Sequence, residues 1–134
     1  MNSFPLKIVT PDGVQYEGSA EELIVRTTTG DIGILAGHIN CVAPLGIGPA
    51  MVLSEGKKRY AACIGGMLSV VGGAATLVPT TFEWADQIDL ARAEASQQRA
   101  QAILRDKSST DTDVRLAEAR LKRALIRKSV AANK

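Results

Sequence analysis

This sequence has few aromatic residues, histidines and cysteines. Aromatic residues make up 4% of the 134 residues, so the core of the folded protein must be aliphatic. One histidine, His38, and two cysteines, Cys41 and Cys63, provide fewer Cys and His ligands than a structural zinc site needs. The cysteines form no C-x-x-C pair, so we expect two reduced thiols.

The sequence also lacks the features of a signal peptide, a membrane span and a phosphate-binding loop. The first residues, MNSFPLKIVTPDG, contain neither a basic segment nor a long apolar one, so no signal peptide is expected. Residues 32–54 and 60–82 carry no formal charge, but glycines and prolines interrupt both runs and predict strands and turns. The glycine-rich stretch at residues 30–39 contains neither G-x-G-x-x-G nor Gly-Lys-Ser/Thr, which excludes the common nucleotide loops.

Two groups of titratable residues could in principle support catalysis. His38 has no nucleophile motif beside it, so we interpret it as a loop or interface residue. The carboxylates Glu83, Asp86, Asp89 and Glu94 could perform acid–base work or bind a metal, but Asp86 and Asp89 equally suit helix capping. Neither group identifies an enzyme.

Residues 1–85 have the periodicity of β-strands. The segment ELIVRTT, residues 22–28, alternates, with Leu23, Val25 and Thr27 on one face. The sequences Glu55-Gly56-Lys57 and Gly72-Gly73-Ala74 separate strand-like runs and predict hairpins. Because strand signals recur about every ten residues, we predict a flattened β-sandwich or barrel for residues 1–85.

Residues 86–134 have the composition of helices, which makes the predicted fold class α+β. Strong helix formers predict an antiparallel hairpin with helices at roughly 88–105 and 113–128. The predicted buried stripe of the first helix is Ile88, Ala91, Ala95, Gln98 and Ala102, and that of the second is Val114, Ala117, Leu121, Ala124 and Leu125. An alanine stripe buries little apolar area, so the hairpin could be a rigid pair or an element that moves between two arrangements.

Charge is divided unevenly between the two parts. Residues 1–85 carry five Lys/Arg and seven Asp/Glu, whereas residues 86–134 carry eleven Lys/Arg and seven Asp/Glu. Residues 115–134 hold seven basic groups and one acidic group, which suits an acidic partner, a polyphosphate or water alone.

Arginines on the two predicted helices could converge on one anion. Arg92 and Arg99 share a face of the first helix, and Arg123 and Arg127 share a face of the second. Planar guanidinium groups suit phosphate, although a solvated helical face explains the same spacing.

Four separated segments together resemble the epsilon subunits of bacterial F-type ATP synthases. They occur in order along nearly the whole chain: GDIGILAGHINCVAPLGIG, IGGMLSV, ADQIDLARAEAS and RLAEARLKRALIR. The resemblance implies a central-stalk rotor subunit without catalysis of its own, which couples H⁺ or Na⁺ flow to ATP synthesis. Its location would be peripheral, on the cytoplasmic face of the bacterial cell membrane.

The resemblance also implies partners for each part of the chain. The sandwich, residues 1–85, would bind the gamma subunit and touch the c-ring. Asp31 matches the acidic residue of the loop that faces the c-ring, while His38, Ile39 and Val42 match the region packed near gamma and the ring. The hairpin, residues 86–134, would inhibit ATP hydrolysis when its basic second helix enters the acidic cleft of the alpha/beta catalytic head.

The segment IDLARA, residues 88–93, resembles the family's ATP motif. Ile88 and Ala93 would border the base, and Asp89 would hydrogen-bond to it. Further positions that match nucleotide-binding members are Glu83, Arg92, Arg99, Arg123 and Arg127. The arginines would hold the triphosphate, so ATP would be a regulatory ligand and no metal or other cofactor would be required.

A small nucleic-acid-binding module with a basic helical tail is the alternative function. The β part of the chain is acidic and nearly free of aromatic residues on which bases could stack. This composition argues against a nucleic-acid-binding module. We therefore expect no nucleic-acid partner.

Overall fold

A computed structural model describes residues 2–133. In this part of the chain eight strands precede a 3₁₀ turn, Ala85–Gln87, and two helices. The strands are β1 (Phe4–Thr10), β2 (Gly13–Ala20), β3 (Glu22–Thr27), β4 (Gly30–Leu35), β5 (Cys41–Pro44), β6 (Ile47–Ser54), β7 (Lys57–Val71) and β8 (Ala74–Trp84). The helices are α1 (Leu90–Arg105) and α2 (Asp111–Ala131). The predicted α+β class, with a β-sandwich before two helices, is confirmed.

The two long strands β7 and β8 link both layers of the sandwich. Strand order is β2-β1-β8-β7-β6-β3-β4, with β5 beside β7. The first half of β7 pairs with β6 and the second half with β5. Between these halves Gly65 and Gly66 have positive φ, and a Cβ on Gly66 would overlap the carbonyl oxygen of Val78. Glycine therefore permits the irregularity at which β7 changes partners.

The sandwich interior is aliphatic with a small aromatic group at one end. Leu23, Val25 and Thr27 are all buried, as the alternation of β3 predicts. Phe82 and Trp84 pack edge to face with ring centroids 4.9 Å apart. Every buried residue of this main core precedes Ala85, so the sandwich has a core of its own.

Both cysteines are free thiols, as predicted. Cys63 lies in the sandwich core, where burial raises the pKa of its thiol to about 12. Cys41 is half-buried at the start of β5.

Side-chain caps set the starts of both helices. The Asp89 carboxylate accepts a hydrogen bond from the Arg92 backbone N–H at 3.0 Å and begins α1. Thr110 and Asp113 form a capping box at the start of α2, with both hydrogen bonds at 3.1 Å. Asp86, the other residue expected to suit helix capping, lies in the 3₁₀ turn and does not cap α1.

The predicted stripe of α1 is wrong in phase. Its buried residues are Ala93 and Ala100, whereas the prediction counted from Ile88, which has an extended backbone and precedes the helix. On α2, Ala117 and Ala124 are buried as predicted, but Leu125 is exposed. Alanines seven residues apart on each helix let the two backbones approach closely.

Candidate anion-binding site

A cavity of about 790 Å³ lies between the helices and the sandwich, within the range of ligand sites in proteins. Its walls are the inner faces of α1 and α2, the end of β8 and the turn between β1 and β2. The lining residues are Asp12, Thr80, Thr81, Phe82, Glu83, Gln87, Asp89, Arg92, Ala93, Ser96, Arg99, Ala100, Ile103, Arg120, Arg123 and Arg127.

Five guanidinium groups and three carboxylates line this cavity. Arg127 donates from Nε to Glu83 Oε1 at 2.6 Å, which ties α2 to the end of β8. Within residues 2–133 this is the one ion pair of the lining, because no carboxylate lies within 4.0 Å of the charged nitrogens of the other four arginines. Those four are Arg92, Arg99, Arg120 and Arg123.

The electrostatics of the lining favour a bound anion. Like charges held close together raise the free energy of the folded state unless water or a counter-ion screens them. The arginines come from both helices, so an anion at their centre would attract α1 and α2 to each other. Several charge-assisted contacts to one multivalent anion, such as a polyphosphate, suit this arrangement.

The structure brings together seven of the eight residues that the family resemblance assigned to nucleotide binding. Lining the cavity are Glu83, Asp89, Arg92, Ala93, Arg99, Arg123 and Arg127. Ile88 is outside the lining, because its side chain is buried against the end of α2. Phe82 and Ala93 add apolar surface at the sandwich end of the cavity.

Sequence reasoning missed other lining residues, notably Arg120 and Asp12. Arg120 precedes Arg123 by three residues and Arg127 by seven, so helical spacing contained the signal. Asp12 reaches the cavity from the turn between β1 and β2, and nothing in the sequence links that turn to the helices.

A small apolar cluster attaches the hairpin to the sandwich. It consists of Ala62, Ala85, Ile88, Val130 and Ala131, with Tyr60 and Ile126 packed against it. Only Ile88 and Val130 among its buried members are larger than alanine. Full burial of one such side chain contributes about 1.5–3 kcal/mol, so this attachment is worth only a few kcal/mol before entropy is counted.

The residues assigned to subunit interfaces lie on the sandwich, away from this cavity. Asp31 Oδ1 accepts from Arg26 Nε at 3.0 Å, and both side chains are about half exposed. Such a pair contributes about 1 kcal/mol or less, so Asp31 remains available to a partner. His38 is half-buried, and its Nδ1 donates to the carbonyl of Ile39 at 2.7 Å.

An apolar surface surrounds these residues. Ile39 is 78% exposed and Val42 is 66% exposed. Met67 and Val78, paired across β7 and β8, are also exposed on the outer face of this layer. We call Ile39, Val42, Met67 and Val78 the outer apolar face. Exposed apolar groups of this kind are typical of protein–protein contact surfaces.

Within residues 2–133, no group of three or more His, Cys, Asp or Glu side chains is arranged to hold a metal ion. Neither helix there has the length and apolar character needed to cross a membrane.

Two family models together match almost the whole chain. Residues 3–85 match the β-sandwich domain of the ATP synthase delta/epsilon chain, and residues 86–132 match its long α-helix domain. The ATP synthase epsilon chain of Bacillus velezensis is 44% identical over 133 residues, covering 99% of this chain and 100% of that protein. The epsilon chain of Ruminococcus albus is 42% identical over 135 residues, with 100% of both chains covered.

Solved structures of similar fold come from mitochondrial ATP synthases. A chain of the Euglena gracilis complex has a TM-score of 0.84 at 23% identity, covering 98% of this chain and 82% of that one. A chain of the Tetrahymena thermophila central stalk and c-ring has a TM-score of 0.62 at 13% identity, covering 95% of both. At these identities the likeness establishes the fold.

Proposed function

The chain belongs to the ATP synthase delta/epsilon chain family as an epsilon chain, and on that premise we propose that it is a regulatory rotor subunit. As part of the central stalk it couples ion translocation to ATP synthesis and performs no catalysis itself. The full-length match to bacterial epsilon chains supports this role. The comparisons give no support to the alternative of a nucleic-acid-binding module.

The sandwich is the proposed attachment to the rest of the rotor. The outer apolar face would bind the gamma subunit, and the exposed carboxylate of Asp31 would contact polar loops of the c-ring. The exposure of Ile39 and Val42 supports this attachment, because most of each side chain is accessible to a partner in the isolated chain. This attachment would hold the subunit, as a peripheral component, at the cytoplasmic face of the bacterial membrane.

The hairpin is the proposed regulatory element. Its attachment to the sandwich is small, so release would cost only a few kcal/mol. Once released, α2 would carry its basic residues along gamma into the acidic cleft of the alpha/beta head and block ATP hydrolysis. Opposite charges favour that encounter.

ATP is the proposed ligand that keeps the hairpin folded against the sandwich. The convergence of arginines from α1 and α2 on one cavity is the observation that carries this proposal. A ligand that binds only the closed hairpin stabilises it by RT ln(1 + [L]/Kd), or about 2.7 kcal/mol at a hundredfold excess over Kd. That energy is comparable with the attachment itself, so the ATP concentration can shift the population.

Isothermal titration of the isolated full-length protein tests this proposal. We expect one ATP site per chain, weakened about tenfold or more by Arg123→Ala because a charge-assisted contact is lost. Arg115→Ala is the matched control, since Arg115 is exposed on α2 and lies outside the cavity lining. Absence of binding heat at millimolar ATP would remove ATP sensing from the account.

A further inference from the structure

Met51 is a methionine that is buried on the side of its strand that faces away from the sandwich core. Its neighbours on β6, Ala50 and Val52, both belong to that core. Because successive side chains of a strand point to opposite faces of the sheet, Met51 points to the outside of the sandwich. Only 7% of it is nevertheless exposed, so another element must cover it.

The last turns of α2 provide this cover. Met51 pairs across strands with Tyr60 of β7, and Tyr60 packs against the apolar cluster that contains Val130 and attaches the hairpin. Helix α2 contacts both β6 and β7. Three residues before Val130, the ion pair of Arg127 with Glu83 holds α2 against β8, the strand on the other side of β7. Release of the hairpin would therefore uncover the sulfur of Met51.

The thioether of methionine reacts with a peroxide that can reach its sulfur. Hydrogen peroxide transfers one oxygen atom to a sulfur lone pair, so an S–O bond forms while the O–O bond breaks. The proton of the transferred oxygen passes to the departing hydroxide, which leaves as water. The sulfur is oxidised by two electrons to a sulfoxide, and the peroxide is reduced. A closed hairpin keeps the peroxide away from Met51, and an open hairpin admits it.

We infer that Met51 is an oxidation site that the hairpin controls, and that its sulfoxide in turn holds the hairpin open. A sulfoxide is polar, whereas the buried members of the attaching cluster are alanines, Ile88 and Val130. Returning α2 over an unpaired S–O group costs free energy, so the oxidised chain favours the open hairpin. Under the proposed function, oxidation would prolong the block of ATP hydrolysis until a reductase restores the thioether. The inference rests on the hairpin release in that proposal and not on ATP binding.

Treatment of the full-length protein with hydrogen peroxide, followed by peptide mass spectrometry, tests the control of oxidation by the hairpin. Met67 is the internal reference, because it is 43% exposed on the outer apolar face of the isolated chain. Met51 should oxidise more slowly than Met67 by about thirtyfold or more, since it reacts only in the minor open state. Val130→Ala removes two methyl groups from the attachment, so it should speed the oxidation of Met51 about fifteenfold and leave that of Met67 unchanged.

Amide hydrogen exchange of the oxidised protein tests the effect of the sulfoxide. The amides of α1 and α2 should exchange about tenfold faster after oxidation, because the sulfoxide disfavours the closed hairpin. Methionine sulfoxide reductase should restore the slow rates. Met51→Leu is the control, since leucine fills a similar volume and has no sulfur. Its hairpin amides should exchange slowly before and after peroxide, although Met67 is still present.

The two measurements separate failure of this inference from failure of the proposed hairpin release. Oxidation of Met51 as fast as that of Met67, or at an unchanged rate in Val130→Ala, would overturn the inference. Unchanged exchange after oxidation, or equal acceleration in Met51→Leu, would also overturn it. In each of these cases, hairpin amides that exchange faster than the core amides of β7 and β8 would leave the hairpin release in place. Hairpin amides that exchange only in step with the core would overturn both.

Discussion

Val130 offers a direct perturbation of the hairpin attachment. Its side chain is 1% exposed and packs with Ile88, Ala62 and Ala85, in a cluster separate from the main sandwich core. Val130→Ala removes two methyl groups at about 0.8 kcal/mol each, or about 1.6 kcal/mol in total. An equilibrium changes tenfold for each 1.36 kcal/mol, so the open hairpin should become about fifteenfold more populated. Alanine is the better helix former, so the helix itself is not weakened.

Amide hydrogen exchange measures this population. Helices of this length have only marginal stability in water once they leave the sandwich, so their amides exchange when the hairpin opens. The amides of α1 and α2 should therefore exchange about fifteenfold faster in Val130→Ala, the same factor by which the open hairpin becomes more populated. Core amides of β7 and β8 should keep their rates, because the sandwich core does not include the hairpin. Leu125→Ala is the control, since Leu125 is 45% exposed on the same helix and lies outside the cluster. If the strands accelerate in step with the helices, the two parts open as one unit and the reasoning is wrong.

Two further predictions concern the sandwich. Because burial raises the pKa of Cys63 above that of an unfolded thiol, its proton stabilises the folded state fully below pH 9, and that contribution is lost as pH rises towards about 12. At pH 8 a thiol reagent should therefore modify Cys41 in the native protein and Cys63 only after denaturation. Peptide mass spectrometry identifies the modified cysteine. Modification of Cys63 in the native protein would contradict its burial. Gly66→Ala should lower the melting temperature markedly in a calorimetric scan, because the new Cβ overlaps the Val78 carbonyl oxygen. Gly33→Ala is the control and should change the melting temperature little, because a Cβ there meets open space. Equal shifts of the melting temperature would refute the steric argument.

Local patterns in the sequence predicted most of the fold because the physical cause was local. The alternation of Leu23, Val25 and Thr27 appears unchanged in β3, since one face of a strand is buried against the core. The turns at Glu55-Gly56 and Gly72-Gly73 connect the predicted strands. The change of partners along β7 could not be predicted, because it depends on which distant strands meet each half.

The helices show where local reasoning failed. The predicted stripe of α1 assumed that Ile88 was already helical, but the Asp89 cap starts the helix later and shifts the phase. Ile88 then packs against the end of α2 instead of lining the cavity. Arg120 was overlooked although its spacing to Arg123 and Arg127 indicated a shared face. Asp12 reaches the cavity only through tertiary packing, which no single segment encodes.

Removal of the hairpin tests the central claim most directly. The measurement is the rate of ATP hydrolysis by an assembled ATP synthase that contains either the full-length chain or residues 1–86. The truncated chain keeps every residue of the main core, so it should still assemble. We predict faster hydrolysis with the truncated chain at low ATP concentration. The difference between the two rates should narrow as the ATP concentration rises, because bound ATP keeps the hairpin of the full-length chain closed. Equal rates at every ATP concentration, with assembly verified, would contradict the account.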